Sequence, residues 1–134
     1  MILQNTQPFL NQTTALFDKV GADGTTILCV VMAHFIREGI PVYLISAVET
    51  VQKFKMLLRK LNAPDLTLLE AQGKFKFSSV LPQVIHSKYY VFVHGCSFLP
   101  LDTVCTLVER PNTMLHIHKD IDTQLVKYTT GKCN

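Results

Sequence analysis

The feature that most constrains the fold is a helical segment, residues 27–38, that is apolar on every side. Its apolar residues surround the helix axis, a pattern typical of a buried helix; they are Ile27, Leu28, Val30, Val31, Met32, Phe35 and Ile36. Gly39 follows where a helix commonly ends, and residues 41–47, PVYLISA, form an apolar run of strand length. A short strand over 15–17 precedes the helix. The segment therefore predicts a β-α-β unit with parallel strands and a right-handed crossover.

The rest of the chain continues the alternation of helices and strands. The pattern predicts an amphipathic helix over 48–61, a strand over 66–69, a short helix over 78–86, a strand over 89–93, a helix over 100–109 and a strand over 113–118. Such alternation is typical of an α/β fold with a mainly parallel sheet. The 134 residues, 48% of them hydrophobic, are enough for one domain with a buried core. We expect residues 1–14 to form a flexible or irregular N-terminal segment.

Charge and cysteine content limit the class of protein. Thirteen Lys and Arg against ten Asp and Glu give a net charge of +3, well below the basic excess typical of nucleic-acid-binding domains. The four cysteines are scattered and form no C-x-x-C pair, which favours reduced thiols in the cytosol or nucleus. The most apolar stretch, residues 27–36, is too short to span a bilayer. We therefore expect neither membrane insertion nor secretion.

The loop KVGADGTT, residues 19–26, lies where a phosphate-binding loop would precede a buried helix. Gly24 and Thr26 match the last Gly and the Ser/Thr of G-x-x-x-x-G-K-[ST], but Thr25 stands in place of the Lys. That Lys neutralises the charge of the terminal phosphates, and Asp23 adds a negative charge beside them. We interpret Gly21, Gly24, Thr25 and Thr26 as a degenerate nucleotide loop.

The strand over 89–93 ends without the acid that holds magnesium in such sites. His94 and Gly95 follow the strand, where an Asp is expected. Glu49, just past the strand over 41–47, is a candidate carboxylate base, but it has no Lys or Asp to act with. The loop and this strand end therefore predict a protein without nucleotide chemistry and without a cofactor.

Two other chemistries receive less support. His116 and His118 alternate along a strand and could share a metal, but no third ligand is identifiable nearby, so packed histidines are favoured. Cys96 lies two residues from His94, yet no acid is placed to orient such a thiol and base. We expect no catalytic residue and no metal site.

A set of basic residues is the candidate nucleic-acid contact. It could form a surface for a phosphate backbone, although a solvated helix face explains the first four members equally well. The set consists of Lys53, Lys55, Arg59, Lys60, Lys74 and Lys76.

The order of these parts resembles a known family. The carrying motifs are the loop DKVGADGTT, the helix ending FIREG, the strand VYLISA with Glu49 behind it, LTLLEAQGK, YYVFVHGCSFL and TMLHIHKD. Together they span about residues 15–120 and resemble the RecA-like ATPase core. Within that group the chain is most similar to subunit 6 of Elongator, whose members keep the fold without either nucleotide-binding motif.

The resemblance implies a RecA-like three-layer sandwich, truncated at its C-terminus relative to the usual member. It also implies a non-catalytic, cofactor-free subunit of a hetero-hexameric ring with Elongator subunits 4 and 5. In that family the ring binds tRNA and serves the complex that modifies wobble uridines, in the cytoplasm and also in the nucleus. Two alternatives stay open: an inactive recombinase paralogue assisting DNA repair, and a small nucleotide-using enzyme with an unorthodox phosphate loop.

Overall fold

A computed structural model describes residues 9–18, 24–95 and 99–117. Within these ranges the strands are β1 (Thr13–Phe17), β2 (Val42–Ser46), β3 (Phe75–Ser78), β4 (Tyr90–His94) and β5 (Thr113–Ile117). The helices are α1 (Thr25–Arg37), α2 (Val51–Lys60), α3 (Leu66–Ala71) and α4 (Leu101–Glu109). The strands form one sheet in the order β1-β5-β4-β2-β3, and every neighbouring pair is parallel. The predicted α/β fold with a parallel sheet is confirmed.

Helices cover both faces of the sheet. Successive strand residues point to opposite faces, so Leu44 and Phe92 pack under α1 and α2, in a core that includes Phe54 of α2. On the other face, Ile45 and Val93 pack with side chains of α4. The arrangement is consistent with a three-layer α/β sandwich.

Helix α1 lies at the centre of one core, as its apolar sequence predicts. Seven of its residues are buried, among them Leu28, Met32 and Phe35, whereas Ile27 is 40% exposed. The helix ends before Gly39, whose φ of 78° carries the chain out of the helix. The strands on either side, β1 and β2, are parallel as predicted, but β5 and β4 lie between them.

The strand predicted over residues 66–69 is wrong. These residues belong to α3, because Asp65 caps a helix there by accepting a hydrogen bond from the Thr67 N–H at 3.1 Å. The Leu68–Glu70 stretch used in the family resemblance is thus helical. The third strand is β3, which follows Gly73; Phe75 is buried and Phe77 packs on the same core, while Lys76 points to the other face. This alternation is too short to recognise without its pairing to β2.

The helix predicted over residues 78–86 is also wrong, because this segment is irregular and begins with the end of β3. The Ser78 hydroxyl accepts a hydrogen bond from the Val80 N–H, which favours a local turn. Leu81 and Ile85 are spaced as on one face of a helix. Both pack against the core on the α4 side of the sheet, although the residues that connect them are not helical. We call residues 79–86 the outer segment.

The remaining predicted elements are confirmed to within a few residues. β1 begins at Thr13, so the predicted irregular segment overlaps the first strand by two residues. β4 and β5 lie where sequence patterns place them. Across residues 9–18, 24–95 and 99–117, no helix is long and apolar enough to cross a membrane.

Candidate functional site

Three polar side chains meet at the carboxyl edge of the sheet, where open parallel sheets bind their ligands. The register pairs Ser46 with His94 and His94 with His116, so one residue from each of β2, β4 and β5 lies side by side. Ser46 and His116 are 0% exposed and His94 is 3% exposed. Because buried polar groups require partners, their hydrogen bonds determine what this edge can do.

His94 joins two strands to the start of α1. Its Nδ1 lies 3.1 Å from the Ser46 Oγ, and its Nε2 lies 3.1 Å from the Thr25 Oγ1. Each hydroxyl can donate or accept, so a neutral imidazole is satisfied on both sides. The Ser46 Oγ also accepts the Glu49 N–H at 3.2 Å, and the ring of Phe54 packs edge-on against His94.

His116 binds the chain's own carboxylate. Its Nε2 lies 2.7 Å from the Oδ1 of Asp18, the residue that directly follows β1. The same oxygen accepts the N–H of Gly24, the N-cap of α1, at 2.7 Å. The imidazole rings of His116 and His94 are 5.1 Å apart. Asp18 therefore places a negative charge at the N-terminus of α1, the position that helix dipoles favour for an anion.

Gly24 is required by close packing rather than by its backbone angles, since its φ is −74°. A Cβ at this position would lie 2.8 Å from the His116 Nε2 and 2.9 Å from the Asp18 Oδ1. The first turn of α1 thus packs directly on the Asp18–His116 pair. We call Asp18, Thr25, Ser46, His94 and His116 the polar cluster.

The polar cluster engages one backbone group of the kind that a phosphate loop offers to a nucleotide. Such a loop supplies backbone N–H groups to the phosphates and a Ser/Thr hydroxyl to Mg²⁺. Here the Gly24 N–H binds Asp18, and Thr25, at the position of the Lys, binds His94 through its hydroxyl, whereas Thr26, at the Ser/Thr position, is exposed. A phosphate at this helix terminus would also be repelled by the Asp18 carboxylate. The cluster cross-links β1, β2, β4, β5 and α1, and the imidazoles of His94 and His116 are buried.

The residues predicted as a degenerate nucleotide site do not all come together. Gly24, Thr25 and His94 meet, whereas Thr26 is exposed on the first turn of α1. Gly95 is buried directly after His94, with a φ of 67°. Gly21 lies outside the described residues. The Glu49 carboxylate binds Lys53 at 2.8 Å on the surface and does not join the cluster.

The candidate metal and thiol sites receive little from the structure. His118 and Cys96, the second members of those pairs, lie outside the described residues. In the described part of the chain, no group of three or more His, Cys, Asp or Glu is placed to hold a metal ion. Cys29 is buried in α1, as expected of a small core residue.

The basic residues of α2 differ in their surroundings. Lys53 pairs with Glu49, and Lys55 lies 3.1 Å from the Glu70 carboxylate. Arg59 is exposed and borders a depression that also contains the acidic Asp65. Lys60 is exposed at the end of the helix. Two of these four cations are therefore already paired with carboxylates.

The two lysines of the β3 region do not extend that surface. Lys76 points from the sheet face opposite α2, and its Nζ lies 6.0 Å from the ring centres of both Tyr43 and Tyr89. Lys74 is exposed just before β3. Lys76 thus lies on the far side of the sheet from α2, and the role of all six predicted residues in nucleic-acid contact stays a prediction.

Sequence reasoning missed the roles of Asp18, Ser46 and His116 in the cluster. The available signal was position: each is polar and lies within one residue of the end of a strand. No family model matches the chain, and no curated protein matches it significantly. The polar cluster and the surface of the molecule are therefore the observations from which a function can be proposed.

Proposed function

We propose that this protein is a non-catalytic structural subunit of a hetero-oligomeric ring of RecA-like proteins, of the Elongator subunit 6 type. In this role it supports the modification of wobble uridines in tRNA, in the cytoplasm or nucleus. The observation that carries the proposal is the closed polar cluster at the carboxyl edge of the sheet.

The first support is that the cluster replaces a nucleotide with internal groups. Asp18 provides the anion at the N-terminus of α1, and the Thr25 hydroxyl is engaged by His94. A bound triphosphate would need to displace the carboxylate and break its contacts with Gly24 and His116. Hydrogen bonds to charged groups are each worth about 1.5–3 kcal/mol, so this displacement is unfavourable.

The second support is the position of the cluster in the fold. A parallel sheet with helices on both faces, whose first strand leads through a Gly-containing loop into a buried helix, is the arrangement expected of a RecA-like core. With Asp18 bound at the N-terminus of α1, such a fold offers its edges and helix faces to neighbouring subunits. The basic residues of α2 and β3 stay candidates for RNA contact within that assembly.

Calorimetric titration of the full chain with Mg·ATP tests the loss of nucleotide binding. We expect no heat of binding at nucleotide concentrations of about 1 mM, because no Lys is available for the phosphates and Asp18 repels them. Dissociation constants in the micromolar range would contradict the proposal and favour the small nucleotide-using enzyme. A RecA-like ATPase with an intact phosphate loop serves as the positive control.

Affinity purification with mass spectrometry tests the partners. Recovery of Elongator subunits 4 and 5 in comparable amounts is the expected result. Recovery of recombinase components without Elongator would overturn this function and support the recombinase paralogue.

A further inference from the structure

A cavity lies between the outer segment and α4. Its volume is about 210 Å³. One wall is formed by the outer segment, with Leu81, Pro82 and Ile85. The other is formed by α4 and the residue that ends it, with Thr106, Leu107 and Arg110. Of the eight described residues that line it, four are apolar, three (Gln83, Thr103 and Thr106) are polar and uncharged, and Arg110 is a cation.

Arg110 has a donor that the described residues leave unused. Its Nη2 donates to the carbonyls of His86 at 3.0 Å and Tyr89 at 3.4 Å. Its Nε is buried and has no hydrogen-bond partner within the described residues. Among those residues no carboxylate forms an ion pair with Arg110. Arg110 therefore carries a positive charge that no carboxylate of the described residues neutralises, and because it lines the cavity its guanidinium is suited to a carboxylate from outside.

The outer segment also carries two exposed apolar side chains. Val80 is 66% exposed and Val84 is 84% exposed, and both belong to the outer segment. Exposed apolar side chains accompanied by a polar group are common in protein contacts. The cavity is also smaller than the roughly 300–1,000 Å³ typical of cofactor and small-molecule sites, so its size suits one amino-acid side chain.

We propose that this cavity is a docking site for a partner protein, which inserts an apolar side chain such as leucine and places an adjacent carboxylate on Arg110. Charge complementarity with the guanidinium selects the acid, and the apolar lining selects its neighbour. Four apolar side chains in the lining and two exposed valines in the outer segment fit a protein segment better than a phosphate backbone. The inference goes beyond the proposed function, because it holds for any acidic partner and does not require Elongator.

The test is an NMR titration of the full chain with the capped peptide Ala-Ala-Leu-Asp-Ala-Ala. We expect amide shifts at Ile85, Leu107 and Arg110 with a millimolar dissociation constant, since only one side chain and one ion pair are supplied. The matched peptide with Leu-Asn in place of Leu-Asp should bind about tenfold more weakly. Absence of shifts at about 5 mM, or equal binding of the two peptides, overturns the proposal.

Variants at an exposed position separate docking from folding. Val84→Glu should weaken binding of the Leu-Asp peptide at least about fivefold, because it replaces an apolar contact with a repelling charge. Val84→Lys removes the same valine but attracts the acid, so it should bind more tightly than Val84→Glu. Equal weakening by the two variants would overturn the role of charge. Displacement of the peptide by a poly-uridine oligonucleotide would show instead that Arg110 belongs to an RNA surface, which also overturns the proposal.

Discussion

The two ends of α1 pack on different kinds of side chain in the same sheet, polar at one end and aromatic at the other. Its N-terminus lies over the polar cluster, where His94 ends β4. Its C-terminal half lies over the amino end of β4, where the Phe35 ring is 4.4 Å from that of Tyr90 and 5.4 Å from that of Phe92. We call Phe35, Tyr90 and Phe92, together with Phe9, the aromatic cluster. One helix and one strand thus combine directional hydrogen bonds with aromatic packing.

The two ends should respond differently to substitution. The aromatic cluster is stabilised by burial, which depends on volume and tolerates similar apolar side chains. The polar cluster depends on specific donors and acceptors, so a change of a few atoms leaves a buried group unsatisfied. The polar side chains at the carboxyl edge of the sheet are therefore part of the structural core.

The largest effect is expected in the aromatic cluster. Phe35→Ala should lower the free energy of unfolding by about 3–5 kcal/mol, because it leaves a cavity between Tyr90 and Phe92. Phe35→Leu keeps most of the volume and should lower it by only about 1 kcal/mol. Urea denaturation of both variants measures the difference. Equal losses would mean that this end is as specific as the polar one.

In the polar cluster, Asp18→Ala should lower the free energy of unfolding by about 3 kcal/mol. The variant removes the acceptor of the Gly24 N–H and the carboxylate that binds buried His116. Asp102, exposed on α4, provides the control; its change to Ala should alter stability by less than about 0.5 kcal/mol. Similar values for the two variants would show that Asp18 contributes little.

Gly24→Ala should lower the free energy of unfolding by about 2 kcal/mol, because the added methyl group overlaps the Asp18–His116 pair. Thr26→Ala, on an exposed position of the same turn, is the matched control and should change little. In the Asp18→Ala background, the Gly24 substitution should be less harmful by about 1 kcal/mol. Full additivity would contradict direct packing of this glycine on the pair.

Alkaline pH should weaken the aromatic cluster through Tyr90. Burial raises the pKa of Tyr90 from its ordinary 10.0 to about 12, and the Thr14 side chain partly opposes this rise. The folded state then holds the phenolic proton more tightly than the unfolded state, so stability is intact below about pH 10 and falls between about pH 10 and about pH 12. By about pH 11 the loss should be about 1 kcal/mol. Tyr90→Phe should lack this component in urea denaturation across the same pH range; an unchanged pH dependence would assign it elsewhere.

The smallest effect is expected from restoring the missing lysine. Thr25→Lys should gain no detectable Mg·ATP binding by calorimetry, since Asp18 still fills the helix N-terminus and binds His116. Binding in the micromolar range by this variant would mean that the absence of the lysine, rather than the presence of Asp18 in the site, prevents nucleotide binding. Asp18→Asn combined with Thr25→Lys distinguishes repulsion by the carboxylate from loss of space.

Local apolar patterns were sufficient to predict most of the elements. The apolar runs of β2, β4 and β5 and the periodicity of α1 and α2 are properties of neighbouring residues, which sequence shows directly. Short segments were the failures: Asp65 capped a helix in place of the predicted strand, and residues 79–86 did not form the predicted helix. In a stretch of four to nine residues, one cap or one pairing strand outweighs the weak preference of the pattern.

The amino-acid sequence alone was enough to indicate an α/β chain with a parallel sheet, a buried first helix, and a loop without the lysine that phosphate binding needs. It did not reveal that Ser46, His94 and His116 share one row, or that Asp18 binds both His116 and Gly24. Those contacts join residues up to 98 positions apart and depend on the order and register of the strands. Register arises from the packing of the whole sheet against its helices, so these contacts appear only in the folded chain.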